Sequence, residues 1–185
     1  MSELVSPPLL LYKVGIFGSF PPGFGVVMAR ELDAELITKR TVISEWRRTA
    51  IARGVPSPYK DLDSKIIAQS FKSLAVPLLR DGVSVVSDLS FNSNRKRQDY
   101  PISMARDTGA FSVALCARAP DDVVRGRLAE LERPGKEFNL PNMLKQVDWP
   151  KPDFKGPDYV FPLDGAGNVD QLVDDVLDFL DEASI

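Results

Sequence analysis

The chain has 185 residues and a net charge of −3, with 44% hydrophobic and 26% charged residues, which is typical of one water-soluble globular domain. It has no histidine and one cysteine, which excludes histidine-based triads, the usual zinc sites and an internal disulfide. Its apolar runs are too short to cross a bilayer and its first residues lack the basic start of a secretory signal, so we expect a cytoplasmic protein without a membrane partner.

Short β-rich runs alternate with longer helical patterns along most of the chain. Several of the β-rich runs are continuously apolar, which is typical of strands covered on both faces. The interleaving predicts an α/β fold, a three-layer structure in which a parallel sheet of about five strands has helices on both faces. In chain order the predicted elements are strand Leu10–Phe17, helix Val26–Leu32, strand Ala34–Thr38, helices Val42–Arg53 and Leu62–Asp81, strand Val83–Asp88, helix Ser93–Thr108, strand Phe111–Arg118, helix Asp121–Glu132, strand Tyr159–Pro162 and helix Val169–Ala183.

Three further features bear on the organisation of the chain. Cys116 lies within an apolar run and is predicted to be a small core residue rather than a reactive thiol. The segment Pro134–Pro157 is rich in proline and lacks apolar periodicity, so it is predicted to be a long irregular excursion, either functional or a plain connector. The last helix is predicted to bury one apolar face, made of Leu172, Val173, Val176, Leu177 and Leu180.

The segment GIFGSFPPGFG, residues 15–25, links the first strand to the first helix. Gly18 and Gly23 have the spacing of a phosphate-binding loop, in which backbone N–H groups surround an anion at a helix start. The next two positions carry lysine and a hydroxyl residue in that pattern, but here they are Phe24 and Gly25. Loss of such a lysine costs about 3–4 kcal/mol of transition-state stabilisation. The alternatives are a nucleotide site made of Gly18, Ser19, Gly23, Phe24 and Gly25, or a plain glycine turn.

A second informative stretch is GVSVVSDLSFNSNRKRQDYPISMARDTGAFSVALCARAPDDVVRGRLAELER, which begins at Gly82. A hydrophobic strand ends in Asp88, and a helix, another strand, an Ala-Pro turn and an arginine-bearing helix follow. With the final PDYVFPLDGAGNVDQLVDDVLDFL, this order resembles the P-loop kinase superfamily. The similar group contains the polynucleotide 5′-kinases, the zeta-toxin-like kinases and chloramphenicol phosphotransferase. The resemblance runs from about Val14 to Leu180.

The resemblance implies roles for particular residues. Asp88 matches the acidic residue that supports magnesium or the acceptor, and Asn92 and Arg95 match positions that face the acceptor. Arg125 and Arg133 match arginines of a lid helix that clamp the transferring phosphate. The implied organisation is a single domain over residues 1–185, with a lid-like helix and the irregular excursion within 118–157. The turn at 164–167 would lie beside the nucleotide base.

The chain departs from the family after the second strand. The family usually has an aspartate there, which serves as the base for the acceptor hydroxyl. Here Lys39, Arg40 and Thr41 follow the strand, and the first carboxylate is Glu45. Lys39 and Arg40 are candidates to replace the missing positive charge and contact the substrate, and Glu45 is a candidate base. The alternative is that all three are ordinary surface residues.

Two main functions follow from these observations. The first is a P-loop kinase-like phosphotransferase with altered or impaired chemistry, which moves phosphate from a nucleoside triphosphate to a hydroxyl of a nucleotide, nucleic acid or small molecule. It would use ATP or GTP with Mg2+. The second is a catalytically inactive pseudokinase, a binding or regulatory module that requires no cofactor and has a protein partner. The altered loop leaves open whether the protein is an enzyme.

A third alternative is nucleic-acid binding through clustered positive charge. The overall charge is mildly negative and few aromatic residues lie among the basic ones, which disfavours this alternative. The three clusters are Lys39, Arg40, Arg47, Arg48 and Arg53; Arg95, Lys96 and Arg97; and Arg118, Arg125, Arg127 and Arg133.

Overall fold

Five parallel strands form the centre of the molecule. The structure is a computed structural model that describes residues 6–15, 18–54, 64–90, 95–130 and 158–185. Its strands are β1 (Leu9–Val14), β2 (Glu35–Ile37), β3 (Val85–Ser90), β4 (Phe111–Arg118) and β5 (Asp158–Asp164). They lie in the order β2-β3-β1-β4-β5. Every pairing is parallel, and β1 is central because it pairs with both β3 and β4.

Helices cover both faces of this sheet. On one face the core is built from α1 and α6, and on the other from α2, α3, α4 and α5. The predicted three-layer α/β fold with a parallel sheet is therefore confirmed. The helices are α1 (Phe24–Glu31), α2 (Lys39–Ala52), α3 (Ser64–Arg80), α4 (Arg95–Thr108), α5 (Asp121–Glu130) and α6 (Val169–Glu182).

The side chains of β1 show how the continuous apolar run is used. Leu10, Tyr12 and Val14 pack on the side of α2 to α5, whereas Leu9 and Leu11 pack on the side of α1 and α6. Successive residues of a strand point to opposite faces, so a strand between two helix layers needs apolar residues at every position. Lys13 is the exception in this strand, and the alternation assigns it to the face of Leu9 and Leu11.

Two helices begin earlier than predicted. Helix α2 begins at Lys39 rather than Val42 because Thr38 and Thr41 form a reciprocal cap. The N–H of Thr41 donates to Thr38 Oγ1 over 3.2 Å, and the N–H of Thr38 donates to Thr41 Oγ1 over 2.9 Å. Helix α1 begins at Phe24 rather than Val26. Lys39 therefore occupies the first turn of a helix and not the end of a strand.

Other predictions are confirmed or fall outside the described residues. Cys116 is buried, and the predicted inner face of α6 packs against the sheet. The excursion Pro134–Pro157 lies outside the described residues, and so do Asn92 and Arg133. In the parts of the chain that the structure describes, no helix is long and apolar enough to span a membrane.

Candidate functional site

The candidate site lies at the carboxyl edge of the sheet. In a parallel sheet all strands end at the same edge, and this edge is where open α/β folds bind ligands. The glycine loop follows β1, Asp88 lies near the end of β3, and the turn at 164–167 follows β5. The topology therefore brings together three segments that are far apart in the sequence.

The glycine loop enters α1 through a backbone conformation that only glycine adopts readily. Gly23 is the N-cap of α1 and has φ 84°, in the left-handed region. Its carbonyl accepts hydrogen bonds from the N–H groups of Val26 and Val27, over 2.9 and 3.1 Å. Gly23 is exposed, and a Cβ placed there would meet no described atom within 4 Å. The loop is thus open to solvent on the side of Gly23.

Phe24, at the position of the missing lysine, is a core residue. Its side chain is 1% exposed and packs with the α1 and α6 layer. Its ring lies 5.3 Å from the ring of Phe20, centroid to centroid, at an interplanar angle of 42°. Phe24 therefore supplies packing energy at the base of the loop, and its ring faces the core rather than the outer side of Gly23.

Gly25, at the position of the missing hydroxyl, lies against Asp88. A Cβ built on Gly25 would be 2.9 Å from Asp88 Oδ1. The glycine loop and Asp88 thus meet at one point. Lys13 joins them there, because its Nζ donates to Asp88 Oδ1. The same Nζ lies 5.2 Å from the centroid of the Phe20 ring, within the range of a cation–π contact.

Arg127, on α5, attaches the glycine loop to the turn after β5. Its Nη1 donates to the carbonyl oxygens of Gly18, Ser19 and Gly165 over 3.2, 3.0 and 2.7 Å. Its Nη2 donates to the carbonyl of Gly167 over 3.3 Å. Burial lowers the pKa of the Arg127 guanidinium, although nearby Glu130 acts in the opposite direction. The group remains a cation at neutral pH because arginine starts from a very high pKa.

This attachment also orients the backbone of the loop. In a trans peptide the C=O of one residue and the N–H of the next point in opposite directions. Because Arg127 holds the carbonyls of Gly18 and Ser19, the N–H groups of Ser19 and Phe20 point away from its guanidinium. A phosphate-binding loop requires this separation, with carbonyls on one side and amides on the other.

Close packing fixes the loop against the rest of the site. Ser19 is 1% exposed. A Cβ on Gly165 would lie 2.6 Å from the carbonyl oxygen of Ser19 and 3.0 Å from the backbone nitrogen of Ala119. The two backbones approach so closely that only glycine fits at position 165. The turn at 164–167 is therefore in direct contact with the loop.

The candidate substrate-contacting residues and the candidate base that follow β2 lie on α2. Lys39 and Arg40 are exposed in its first turn, where positive charge is unfavourable to the helix dipole. Glu45 forms an ion pair with Arg48, with Nη2 to Oε1 at 2.8 Å and Nε to Oε2 at 3.0 Å. The hydrogen bond from Arg48 lowers the pKa of Glu45. This pairing reduces the basicity of the carboxylate that was predicted as a candidate base.

The predicted arginines lie on two different helices. Arg125 is exposed on α5, two residues before Arg127. Arg95 is the first residue of α4. The catalytic and substrate-binding roles of these arginines, and of Lys39, Arg40 and Glu45, stay predictions.

The described residues do not fit a magnesium ion. Gly25 offers no hydroxyl, and the carboxylate of Asp88 already accepts a bond from Lys13. Magnesium in such sites is held by a loop hydroxyl and an acidic residue. Across the described parts of the chain, no group of three or more acidic, histidine or cysteine residues is placed to hold a metal.

Sequence reasoning missed Lys13 and Arg127 as members of the site. A lysine inside an otherwise apolar strand was the available signal for Lys13, because a buried-strand ammonium needs a counter-charge. Arg127 is one of the basic residues of α5, and no feature of the sequence distinguishes it from Arg125. Only the fold places it against the loop.

Known proteins resemble this chain in structure rather than in sequence. No protein-family profile matches the sequence, and no curated protein sequence matches it significantly. A sugar kinase from a Janibacter species, solved without ligand, is 21% identical with a TM-score of 0.66, and 95% of each chain is covered.

Two liganded structures are also similar. Mycobacterium tuberculosis APS kinase in complex with AMPPNP and APS is 14% identical with a TM-score of 0.60, covering 95% of this chain and 98% of that chain. Chaetomium thermophilum Kti12 in complex with ADP-AlF3 is 17% identical with a TM-score of 0.63, covering 92% and 98%. These structural likenesses, over nearly the whole length of each chain, show that the chain has the fold of the P-loop kinases.

Proposed function

We propose that this protein is a kinase-like phosphotransferase with altered chemistry. It would move a phosphate from ATP or GTP to a hydroxyl of a nucleotide, nucleic acid or small molecule. The observation that carries the proposal is the meeting of the glycine loop with Asp88 at Gly25, at the carboxyl edge of a kinase-like sheet. The single reduced cysteine favours a cytoplasmic site of action.

Support for nucleotide binding comes from the loop and from its likeness to liganded kinases. Arg127 draws two loop carbonyls to one side, which leaves the Ser19 and Phe20 amides directed to the other. Two structurally similar proteins carry AMPPNP and ADP-AlF3. In the proposal the phosphates bind at the loop formed by residues 18–25, and the base lies near the turn at 164–167.

The remaining roles are assigned from position. Asp88 supports the acceptor, and Arg125 clamps the transferring phosphate from α5 together with Arg133. Arg95 acts from the start of α4. Phosphoryl transfer depends mainly on positioning and charge stabilisation, so a site without histidine can perform it. In the proposal the acceptor lies among Lys39, Arg40, Glu45 and Asn92.

Phosphate transfer from labelled ATP and GTP tests the proposal. The acceptors are nucleotides, 5′-hydroxyl oligonucleotides and a panel of small hydroxyl compounds. Arg125→Ala should lower turnover at least about a hundredfold, because it removes a donor to the transferring phosphate. Arg80→Ala, an exposed arginine in the last turn of α3, is the matched control and should retain turnover. Transfer that is absent, or equal in the Arg125→Ala variant, would refute the proposal.

The second candidate function is a pseudokinase that binds a partner protein. Two observations favour it: Phe24 is a core residue, and Glu45 forms an ion pair with Arg48. Phe24 therefore offers no charge to the phosphates, and the pairing with Arg48 makes Glu45 a weaker base. Weak, magnesium-independent nucleotide binding or none in calorimetry, without transfer to any acceptor in the panel, is the result expected of this alternative. Turnover that depends on Arg125 would exclude it.

A further inference from the structure

Lys13 places a positive charge at the point where the loop meets Asp88. Alternation along β1 puts it on the face of Leu9 and Leu11, which is the face covered by α1. Its side chain is 13% exposed, and that of Asp88 is 42% exposed. A mostly enclosed ammonium is costly unless an anionic group compensates its charge. Asp88 supplies part of that compensation, and a ligand can supply more.

The surroundings of Lys13 leave it able to bind a second anion. An ammonium group has three N–H donors. Within the described residues its carboxylate partner is Asp88, which takes one donor, and the Phe20 ring lies along one side. Asp88 and Gly25 are in contact, so the ammonium lies at the start of α1, next to the loop.

The same geometry argues against a metal in this position. A divalent ion beside Asp88 would have to displace the ammonium, and Gly25 has no hydroxyl with which to hold the ion. A Cβ at Gly25 would already be only 2.9 Å from Asp88 Oδ1. Among the described residues, the positive charge that lies next to Asp88 is the Lys13 ammonium.

We propose that the Lys13 ammonium takes the place of magnesium at this site, so that the protein binds the phosphates of a nucleoside triphosphate without a divalent metal. The ligand class is a metal-free polyphosphate anion, and Lys13 donates to its oxygens while Asp88 holds the ammonium in position. This inference rests on nucleotide binding as proposed above, but it does not require transfer.

The role assigned to Asp88 differs from that of a metal ligand and can be separated from it. If Asp88 holds magnesium, Asp88→Asn must weaken nucleotide binding and make it insensitive to the metal. If Asp88 instead shares Lys13 with the phosphates, Asp88→Asn removes a competing negative charge, while the asparagine Oδ1 can still accept from the ammonium and hold it in position. Metal-free ATP should then bind Asp88→Asn at least as tightly as it binds the wild type, and about two- to tenfold tighter at low salt.

Calorimetry with ATP and with tripolyphosphate tests the proposal on the full chain. Each ligand is titrated in EDTA and again in excess Mg2+. The wild type should bind ATP in EDTA at least as tightly as in Mg2+. Lys13→Met should weaken binding about tenfold to a hundredfold, as expected for the loss of a charged hydrogen bond. Lys72→Met, an exposed lysine on α3, is the matched control and should bind like the wild type.

Two further measurements keep the result interpretable. If the Lys13→Met variant does not fold, Lys13→Gln replaces it, and thermal melts verify that each variant is folded. Binding of Mn2+, followed by its paramagnetic resonance signal, reports the metal directly. The wild type should not give an Asp88-dependent Mn2+ site. ATP binding that requires Mg2+, an Asp88-dependent Mn2+ site, or no binding of ATP or tripolyphosphate in either buffer would overturn the proposal.

These outcomes are distinguishable from failure of the proposed function. Metal-free binding that depends on Lys13, without transfer to any acceptor, would refute the phosphotransferase and leave this inference intact. Transfer with a strict Mg2+ requirement would support the phosphotransferase and refute this inference.

Discussion

Replacing Arg127 with methionine should destabilise the protein and loosen the glycine loop. The guanidinium donates to four carbonyls on two segments, those of Gly18, Ser19, Gly165 and Gly167. Methionine retains much of the apolar stem but donates no hydrogen bonds. The loop and the turn at 164–167 would then lose the side chain that joins them.

The magnitude follows from the geometry. A hydrogen bond from a charged donor contributes about 1.5–3 kcal/mol. Nη1 shares its two hydrogens among three of the carbonyls, and the side chain is partly exposed, so the bonds are not additive. We expect a loss of about 2–4 kcal/mol in the free energy of unfolding. For a urea dependence of about 2 kcal/mol per molar, the midpoint would fall by about 1–2 M.

Urea unfolding followed by circular dichroism and tryptophan fluorescence measures this loss. Arg125→Met is the matched control, because Arg125 lies on the same helix with an exposed side chain. It should change stability by less than about 0.5 kcal/mol. The two variants should also differ in function, since Arg125 is assigned to the transferring phosphate and Arg127 to the loop. Equal midpoints for Arg127→Met and Arg125→Met would refute the reasoning.

Three more predictions concern single positions. Phe24→Lys, which restores the missing lysine of the loop pattern, should cost at least about 3 kcal/mol of stability because it buries a charge in an apolar cluster. Val26→Lys, at a 61% exposed position, is the control and should be tolerated. Equal urea midpoints for the two variants would contradict this prediction. Gly165→Ala should cost about 1–3 kcal/mol of stability, because its Cβ would overlap the Ser19 carbonyl. Gly126→Ala within α5 should instead stabilise the protein by about 0.5–1 kcal/mol, and thermal melts compare the two variants. Burial raises the pKa of the Cys116 thiol to about 12. A thiol reagent at pH 8 should therefore label the protein only after unfolding. Rapid labelling of the native chain would show the thiol to be accessible and contradict this prediction.

The fold was predictable because its signals are local. Strand β4 has the predicted bounds Phe111–Arg118, because eight mostly apolar residues lie between a glycine turn and an Ala-Pro turn. Helix α6 is marked by a strongly apolar face and an asparagine cap, whose Oδ1 accepts from the N–H of Gln171 over 2.9 Å. The predicted start of α2 was wrong because Thr38 and Thr41 cap the helix together. A threonine–threonine pair is less recognisable in a sequence than the usual capping box of threonine and glutamate.

The candidate site was only partly predictable, because its contacts are not local. The sequence pattern predicted the glycine loop and Asp88 as parts of the site, and the fold brings Gly25 and Asp88 together. The pattern did not indicate that Lys13 and Asp88 form an ion pair across two strands, or that Arg127 reaches the loop. Such contacts depend on strand order and on the position of α5. Phe24 was recognised as a departure from the loop pattern, but its burial against Phe20 depends on where α1 begins.

The central position of β1 has a consequence for how the chain folds. Leu10 pairs with Val85 on one side and with Ser112 on the other. The strand therefore cannot gain either hydrogen-bonded neighbour until much later segments have left the ribosome. Its apolar side chains stay uncovered during that time, and contacts between such distant residues form slowly. Of the described strands, β1 thus waits longest for a hydrogen-bonded neighbour, which makes it the described strand most dependent on protection from aggregation in the growing chain.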